Sequence, residues 1–213
     1  MIEGIKDWKD LLRLAYLFLG SSNIPSDKWT MGGGTVLMLH YNHRISKDID
    51  IFFSDAQYLT SLTPRLNDVV ERYTKDYDEQ SNFIKLKFDY GEIDFIVAPN
   101  LTGRKPIILN VEGIPVRTDP PEEIVIKKIF YRTESLKARD IIDIAVVIKN
   151  LKPELLKYID IYAGKIKRLS ERLNLIKTNY EEAIKHLQIL DRELAREAPS
   201  IVEDFLQECL KSL

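Results

Sequence analysis

Two patterns of apolar and polar positions share the first 119 residues, and one of them takes over afterwards. Apolar residues at helical spacing predict a helix from about Lys6 to Leu19. Trp29-Thr30-Met31 reads as the end of a short strand, and Val36 to Tyr41 as an apolar helical stretch. Ile49, Ile51 and Phe52 help to bury a further strand, and a helix is expected over Leu59 to Tyr77. Phe83 to Phe88 alternates apolar with polar, Tyr90-Gly91-Glu92 is a turn, and Ile93 to Val97 returns as a second strand. Another strand pair is expected around Ile107-Ile108-Leu109 and Gly113 to Val116.

Past Asp119 almost everything has the helical period. Pro120-Pro121-Glu122-Glu123 supplies prolines and acids suited to a helix start, ahead of Ile124 to Arg132. Leu151-Lys152-Pro153-Glu154 breaks one helix and starts the next, and Ala198-Pro199-Ser200 opens the last. The pattern predicts an α+β (mixed α/β) chain. A small mixed sheet flanked by helices occupies residues 1–119, and a helical C-terminal half occupies 120–213.

The candidate chemistry lies where the strands meet a run of glycines. Gly32, Gly33 and Gly34 fall at the start of a helix, where unpaired N–H groups and the helix dipole favour phosphate. Thr35 is placed to cap that helix or to bond a phosphate oxygen. Asp48 and Asp50 are two apart on a strand and share a face, a donor set suited to Mg²⁺ or Mn²⁺ completed by substrate phosphates. Asp94 is a charge inside an apolar strand and should face a metal, a base or an acceptor hydroxyl. It is the candidate for the third metal carboxylate and for the general base. Lys128 and Arg132, four apart on one helix face, are candidates for neutralising the β- and γ-phosphates. Asp140 and Asp143 share a side of the following helix, where they would orient Lys128 or Arg132 or reach a base or acceptor. Arg44 braces the loop before the acidic strand or touches substrate, and Ser46 caps its turn.

Taken in order, Gly32-Gly33-Gly34-Thr35, His43-Arg44-x-Ser46-x-Asp48-Ile49-Asp50-x-Phe52, Lys128-x-x-x-Arg132 and Arg139-Asp140-x-x-Asp143-Ile144 resemble the AbiEii/AbiGii nucleotidyltransferase-like toxins. These form a branch of the DNA polymerase β-type superfamily, and the resemblance runs from about Trp29 to Ile148. It implies a polymerase β-like nucleotidyltransferase core using NTP and a divalent cation. It also implies a functional lysine, which Lys128 matches best with Lys127 as the alternative, and a role as the toxin of a toxin–antitoxin or abortive-infection system. Some members add nucleotides to the 3′ ends of tRNA, which makes RNA the expected acceptor and a cognate antitoxin an expected partner. Two alternatives stay open: a small-molecule or protein side-chain acceptor, and a non-catalytic nucleotide- or partner-binding module on the same fold.

Composition narrows the setting. The formal charge is −2, so any RNA contact must be a local patch. Lys165 to Lys177 carries five basic residues against one acid; it reads either as an RNA track or as a solvated amphipathic helix whose Ile166, Leu169, Leu173 and Ile176 face a core. A solitary Cys209 excludes an internal disulfide framework. Three histidines without cysteine or HExxH spacing give no zinc site. Met1 to Asp10 holds no apolar core of signal length, and Leu11 to Leu19 is interrupted by Arg13 and too short for a bilayer. The expected compartment is cytoplasmic, without membrane contact.

Overall fold

The computed structural model describes residues 6–212, Ser212 as backbone only. Residues 1–5, part of the stretch read above as lacking an export signal, and residue 213 lie outside the described residues. The described chain divides into two compact units: residues up to 36, 46–100 and 105–119 form the first, and residues 37–45, 101–104 and those from 120 onward the second.

The first unit is built on a seven-stranded mixed sheet. Helix α1 (Trp8–Ser21) starts at Asp7, whose carboxylate accepts from the Lys9 and Asp10 N–H groups, and it buries Leu11, Leu12, Leu14, Ala15, Phe18 and Leu19. Strand β1 (Trp29–Gly32) runs into α2 (Gly33–Tyr41), which crosses the division between the units after Val36. Then follow β2 (Ile49–Phe53), the single-turn helices α3 (Gln57–Thr60) and α4 (Asp68–Glu71), and β3 (Tyr77–Gln80). The hairpin β4 (Phe83–Lys87) and β5 (Glu92–Val97) and the hairpin β6 (Ile107–Val111) and β7 (Ile114–Thr118) complete the sheet. Spatial order is β3-β4-β5-β2-β1-β7-β6, with the β2–β5 and β1–β7 pairs parallel and the rest antiparallel.

One face of the central strands is apolar and covered. Ile49, Ile51, Phe53, Ile84, Leu86, Ile93 and Phe95 are buried, and they alternate with half-exposed residues that include Asp50, Phe52, Lys85 and Asp94. Phe52 therefore lies on the acidic side and Phe53 does the burying, as strict alternation from Ile49 requires. The helix expected over Leu59 to Tyr77 is replaced by α3, α4 and β3. Pro64 carries no N–H and drives Thr63 from the helical region, and the Asn67 side chain restarts a helix by accepting from the Val69 and Val70 N–H groups.

The second unit is helical. It holds α5 (Pro121–Arg132), α6 (Ala138–Lys157), α7 (Ile159–Tyr162), α8 (Ile166–Lys177), α9 (Tyr180–Lys185) and α10 (Arg192–Ser212). Leu151 leaves helical geometry (φ −138°, ψ 31°) two residues before Pro153, so α6 is two helices joined at a kink. Helix α10 begins six residues ahead of the expected Ala198 start, because the Asp191 carboxylate accepts from the Leu194 N–H (2.9 Å) and Pro199 is carried inside the helix. Ile166, Leu169, Leu173 and Ile176 of α8 are buried. Among the described residues no helix is long and apolar enough to cross a membrane.

Candidate active site

Sheet register sets four residues of the first unit in one row. Lys85 of β4 is the cross-strand partner of Asp94 in β5, Asp94 of Asp50 in β2, and Asp50 of Gly32 in β1. Paired positions point to the same face, so the row presents a cation, two carboxylates and then bare backbone at the bend into α2. Gly33 takes φ +71°, a conformation that L side chains rarely adopt, and a methyl group there would lie 1.8 Å from Asp50 Oδ2. The bend thus needs glycine twice over, for its backbone and to admit the Asp50 carboxylate. The first N–H groups of α2 open beside that carboxylate with no partner from within the helix.

Asp48 is placed differently. Its Oδ1 accepts the Glu92 N–H at 3.2 Å, and its carbonyl accepts the Thr35 hydroxyl at 2.5 Å. The buried Thr35 hydroxyl thereby ties the first turn of α2 to the approach to β2, instead of capping its own helix. Asp119, a buried carboxylate at the end of β7, accepts from the Thr30 hydroxyl (2.6 Å), and its Oδ2 sits 3.4 Å from where a side chain on Gly32 would begin.

The electrostatics single out Asp94. Lys85 Nζ donates to Asp94 Oδ2 at 2.7 Å and also reaches Glu92, whereas Asp94 Oδ1 is buried and has no hydrogen-bond partner. Burial, and after it the charge on Asp50, push the Asp94 carboxyl up to about 7 against the pull of Lys85. Lys85 is raised: its burial opposes the charge, but Asp94 and Glu92 outweigh it. Among the described residues no group of three or more His, Cys, Asp and Glu side chains is gathered closely enough to hold a metal ion. The Asp50–Asp94 pair does fit a hard divalent cation of the Mg²⁺ kind, which needs only one or two carboxylates when substrate phosphates and water complete its shell. The unpartnered Oδ1 is the donor such an ion would use.

The second unit gathers the other candidates into a buried ion cluster. Arg44 grips Asp143 through two parallel bonds, Nε to Oδ1 (2.7 Å) and Nη2 to Oδ2 (2.8 Å). His43 Nε2 lies 2.8 Å from Asp143 Oδ1, and because a carboxylate only accepts, the ring proton sits on Nε2. Lys128 Nζ donates to Asp140 Oδ1 at 2.6 Å and lies 3.1 Å from Asp143 Oδ2, while Arg132 is 3.8 Å from Asp140. Burial alone would raise Asp143, yet Arg44, then Lys128, and hydrogen bonds from His43 and Arg44 hold it well below the usual carboxylate range. Burial opposes the charge on Lys128, but Asp140 and Asp143 outweigh it and raise the ammonium. Lys127 is turned to Glu123, at 3.5 Å. Ser46 is buried in the first unit, two residues ahead of Asp48.

Geometry thus unites Asp50 and Asp94 beside Gly32 and Gly33, sets Asp48 against the β4–β5 turn, and joins Arg44, Lys128, Arg132, Asp140 and Asp143 in the second unit. Sequence reading missed Lys85, Asp119 and the His43–Asp143 bond. Hairpin register sets position 85 opposite 94 when the turn is the two residues Asp89-Tyr90, between Phe88 and Gly91; a turn placed at Tyr90-Gly91-Glu92 shifts that register and hides Lys85. On α8, Arg172 donates to the Leu136 carbonyl, Arg168 pairs with Glu134 and Lys177 with Glu203, so these basic side chains serve internal contacts.

Comparison with known proteins gives a family and a fold. The model for the AbiEii nucleotidyl transferase toxin of type IV toxin–antitoxin systems matches residues 18–208. No curated protein matches the chain. Among solved structures, JHP933 from Helicobacter pylori superposes with a TM-score of 0.54 at 16% identity, covering 96% of this chain and 94% of that one. ANT(2″)-Ia in complex with adenylyl-2″-tobramycin gives 0.52 at 18% identity, covering 75% of this chain and 98% of that one.

Proposed function

The chain belongs to the AbiEii nucleotidyltransferase toxin family, and from that premise we propose that it transfers a nucleoside monophosphate from NTP to an RNA hydroxyl at the Asp50–Asp94 row. The observation that carries this reading is the buried, unpartnered Oδ1 of Asp94 next to Asp50 and the glycine bend. A buried carboxylate oxygen without a donor is costly, and a cation or a reacting hydroxyl removes the cost.

The residues divide the work as follows. The N–H groups at the start of α2, from Gly33 to Thr35, receive phosphate oxygens of the NTP. Asp50 and Asp94 would hold Mg²⁺ or Mn²⁺, while Asp48 turns one oxygen to the Glu92 N–H; when bound, such an ion would lower the pKa of the attacking hydroxyl and draw charge from the departing pyrophosphate. Asp94 Oδ1 would meet the cation, giving up the proton that a carboxyl lifted to about 7 holds without one, and the proton of the acceptor hydroxyl passes to water. The hydroxyl oxygen bonds the α-phosphorus, the α–β phosphoanhydride bond breaks, and pyrophosphate leaves. Lys85 fixes the other oxygen of Asp94, so that Oδ1 is the one presented. Arg44, Lys128, Asp140 and Asp143 hold the second unit rigid through their ion pairs, with Arg132 at the edge of the cluster.

RNA as acceptor, tRNA 3′ ends in particular, rests on the family resemblance, as does an antitoxin partner. The test is incubation with each labelled NTP, Mg²⁺ and total RNA, beside parallel incubations with cell protein and a small-molecule extract. Label at RNA 3′ ends, lost with EDTA and with Asp50→Asn, is the expected result. Label on protein or on small molecules refutes the RNA acceptor; incorporation by Asp50→Asn at the wild-type rate refutes the site.

A further inference from the structure

We propose that Lys85 is a resident counter-cation that lowers the affinity of the empty site for divalent metal and so makes metal binding depend on nucleotide. The proposal rests on the reading of Asp50 and Asp94 as the cation-holding pair.

The geometry supplies three reasons. Lys85 is the register partner of Asp94 and contacts only one of its oxygens, Oδ2, at 2.7 Å, leaving Oδ1 presented. A single positive charge thus sits against a two-carboxylate row and offsets the repulsion between Asp50 and Asp94 in the metal-free protein. Lys85 also has a second anchor in Glu92, and its side chain is only 25% exposed, so an arriving cation would not expel it into water. A divalent ion at Asp94 Oδ1 therefore meets an ammonium held on the far side of the same carboxylate. Triphosphate brings the negative charge that outweighs that ammonium, and the two ligands bind together. By linkage, metal raises the affinity for NTP by the same factor that NTP raises it for metal.

The sign of the effect separates this role from a structural one. Removing a lysine that merely props Asp94 would weaken metal binding, whereas removing a counter-cation strengthens it. A unit charge about 5 Å from a divalent ion accounts for a factor of at least about ten even at the dielectric constant of water.

The experiment is a Mn²⁺ titration of the full chain, read from the electron paramagnetic resonance of the free ion at pH 8.5 without nucleotide. Wild type, Lys85→Met, Lys85→Arg and Asp50→Asn are compared, with folding checked by circular dichroism and Lys85→Gln as substitute should Lys85→Met not fold. Lys85→Met is expected to bind Mn²⁺ at least tenfold more tightly than wild type, and Lys85→Arg to remain within about threefold of it. Equal or weaker binding by folded Lys85→Met, or tighter binding by Lys85→Arg as well, overturns the proposal. Asp50→Asn tests the underlying site: if it binds Mn²⁺ as wild type does, the reading of the site fails and the proposal with it.

Discussion

Replacing Gly33 by alanine probes the bend where backbone and carboxylate meet. The new methyl would stand 1.8 Å from Asp50 Oδ2, 2.5 Å from Cγ and 3.0 Å from Cβ, where ordinary contact begins at 3.4 Å. Rotation of the carboxylate cannot relieve all three contacts, since Cβ does not move with χ2. Asp50 or the bend must therefore shift by an ångström or more. Left-handed backbone at an alanine adds about 1–2 kcal/mol. The shift bears on the reacting geometry, where an error of about 1 Å costs about a hundredfold in rate. Gly33→Ala should thus unfold at lower urea, by about 2–3 kcal/mol once the contact is added to the strain. Its label transfer should fall by about two orders of magnitude. Gly20→Ala is the control: nothing lies within 4 Å of its side-chain position in α1, and the change should be neutral or stabilising by up to about 1 kcal/mol. Wild-type turnover by Gly33→Ala, with stability within about 0.5 kcal/mol of wild type, would refute the argument.

Two further expectations concern charge. An unfolded aspartate releases its proton near 3.9 and Asp94 holds its own to about 7, so the native state binds more protons across that window and stability falls as pH rises through it, by up to about 4 kcal/mol. In EDTA, Asp94→Asn should therefore gain on wild type by on the order of 2 kcal/mol between pH 5 and pH 8, measured by denaturant midpoints; a difference flat with pH counts against the assignment. In the second unit, Asp143→Ala leaves Arg44 and Lys128 buried without their shared partner and should cost about 3–5 kcal/mol at pH 7, measured by urea unfolding, with a loss under about 1 kcal/mol contradicting the cluster. Because the folded pKa of Asp143 is depressed, that stabilisation is present above about pH 3.9 and is lost as pH falls below it.

The glycine bend, the strand carrying Asp50, the hairpin carrying Asp94 and the helices after Asp119 were all legible in the chain, because each depends on local chemistry: alternation, glycine, and proline with acids at a helix start; Asp48, expected on the same strand, precedes β2 (Ile49–Phe53). Local reading failed where it passed over a stop or start signal inside the segment or just ahead of it. Pro64 and the Asn67 cap cut the helix expected over Leu59 to Tyr77, and Asp191 started α10 ahead of Pro199. Local order made Asp48 and Asp50 equivalent, two residues apart on one expected strand. Tertiary structure alone distinguished them, setting Asp50 against Gly33 and Asp94 while the Glu92 N–H took an oxygen of Asp48. It also decided that Arg44 and Lys128, 84 positions apart in number, share Asp143. Periodicity fixes which face a residue occupies, but a partner across the sheet or in another helix is chosen by register and packing, which no short stretch of sequence contains.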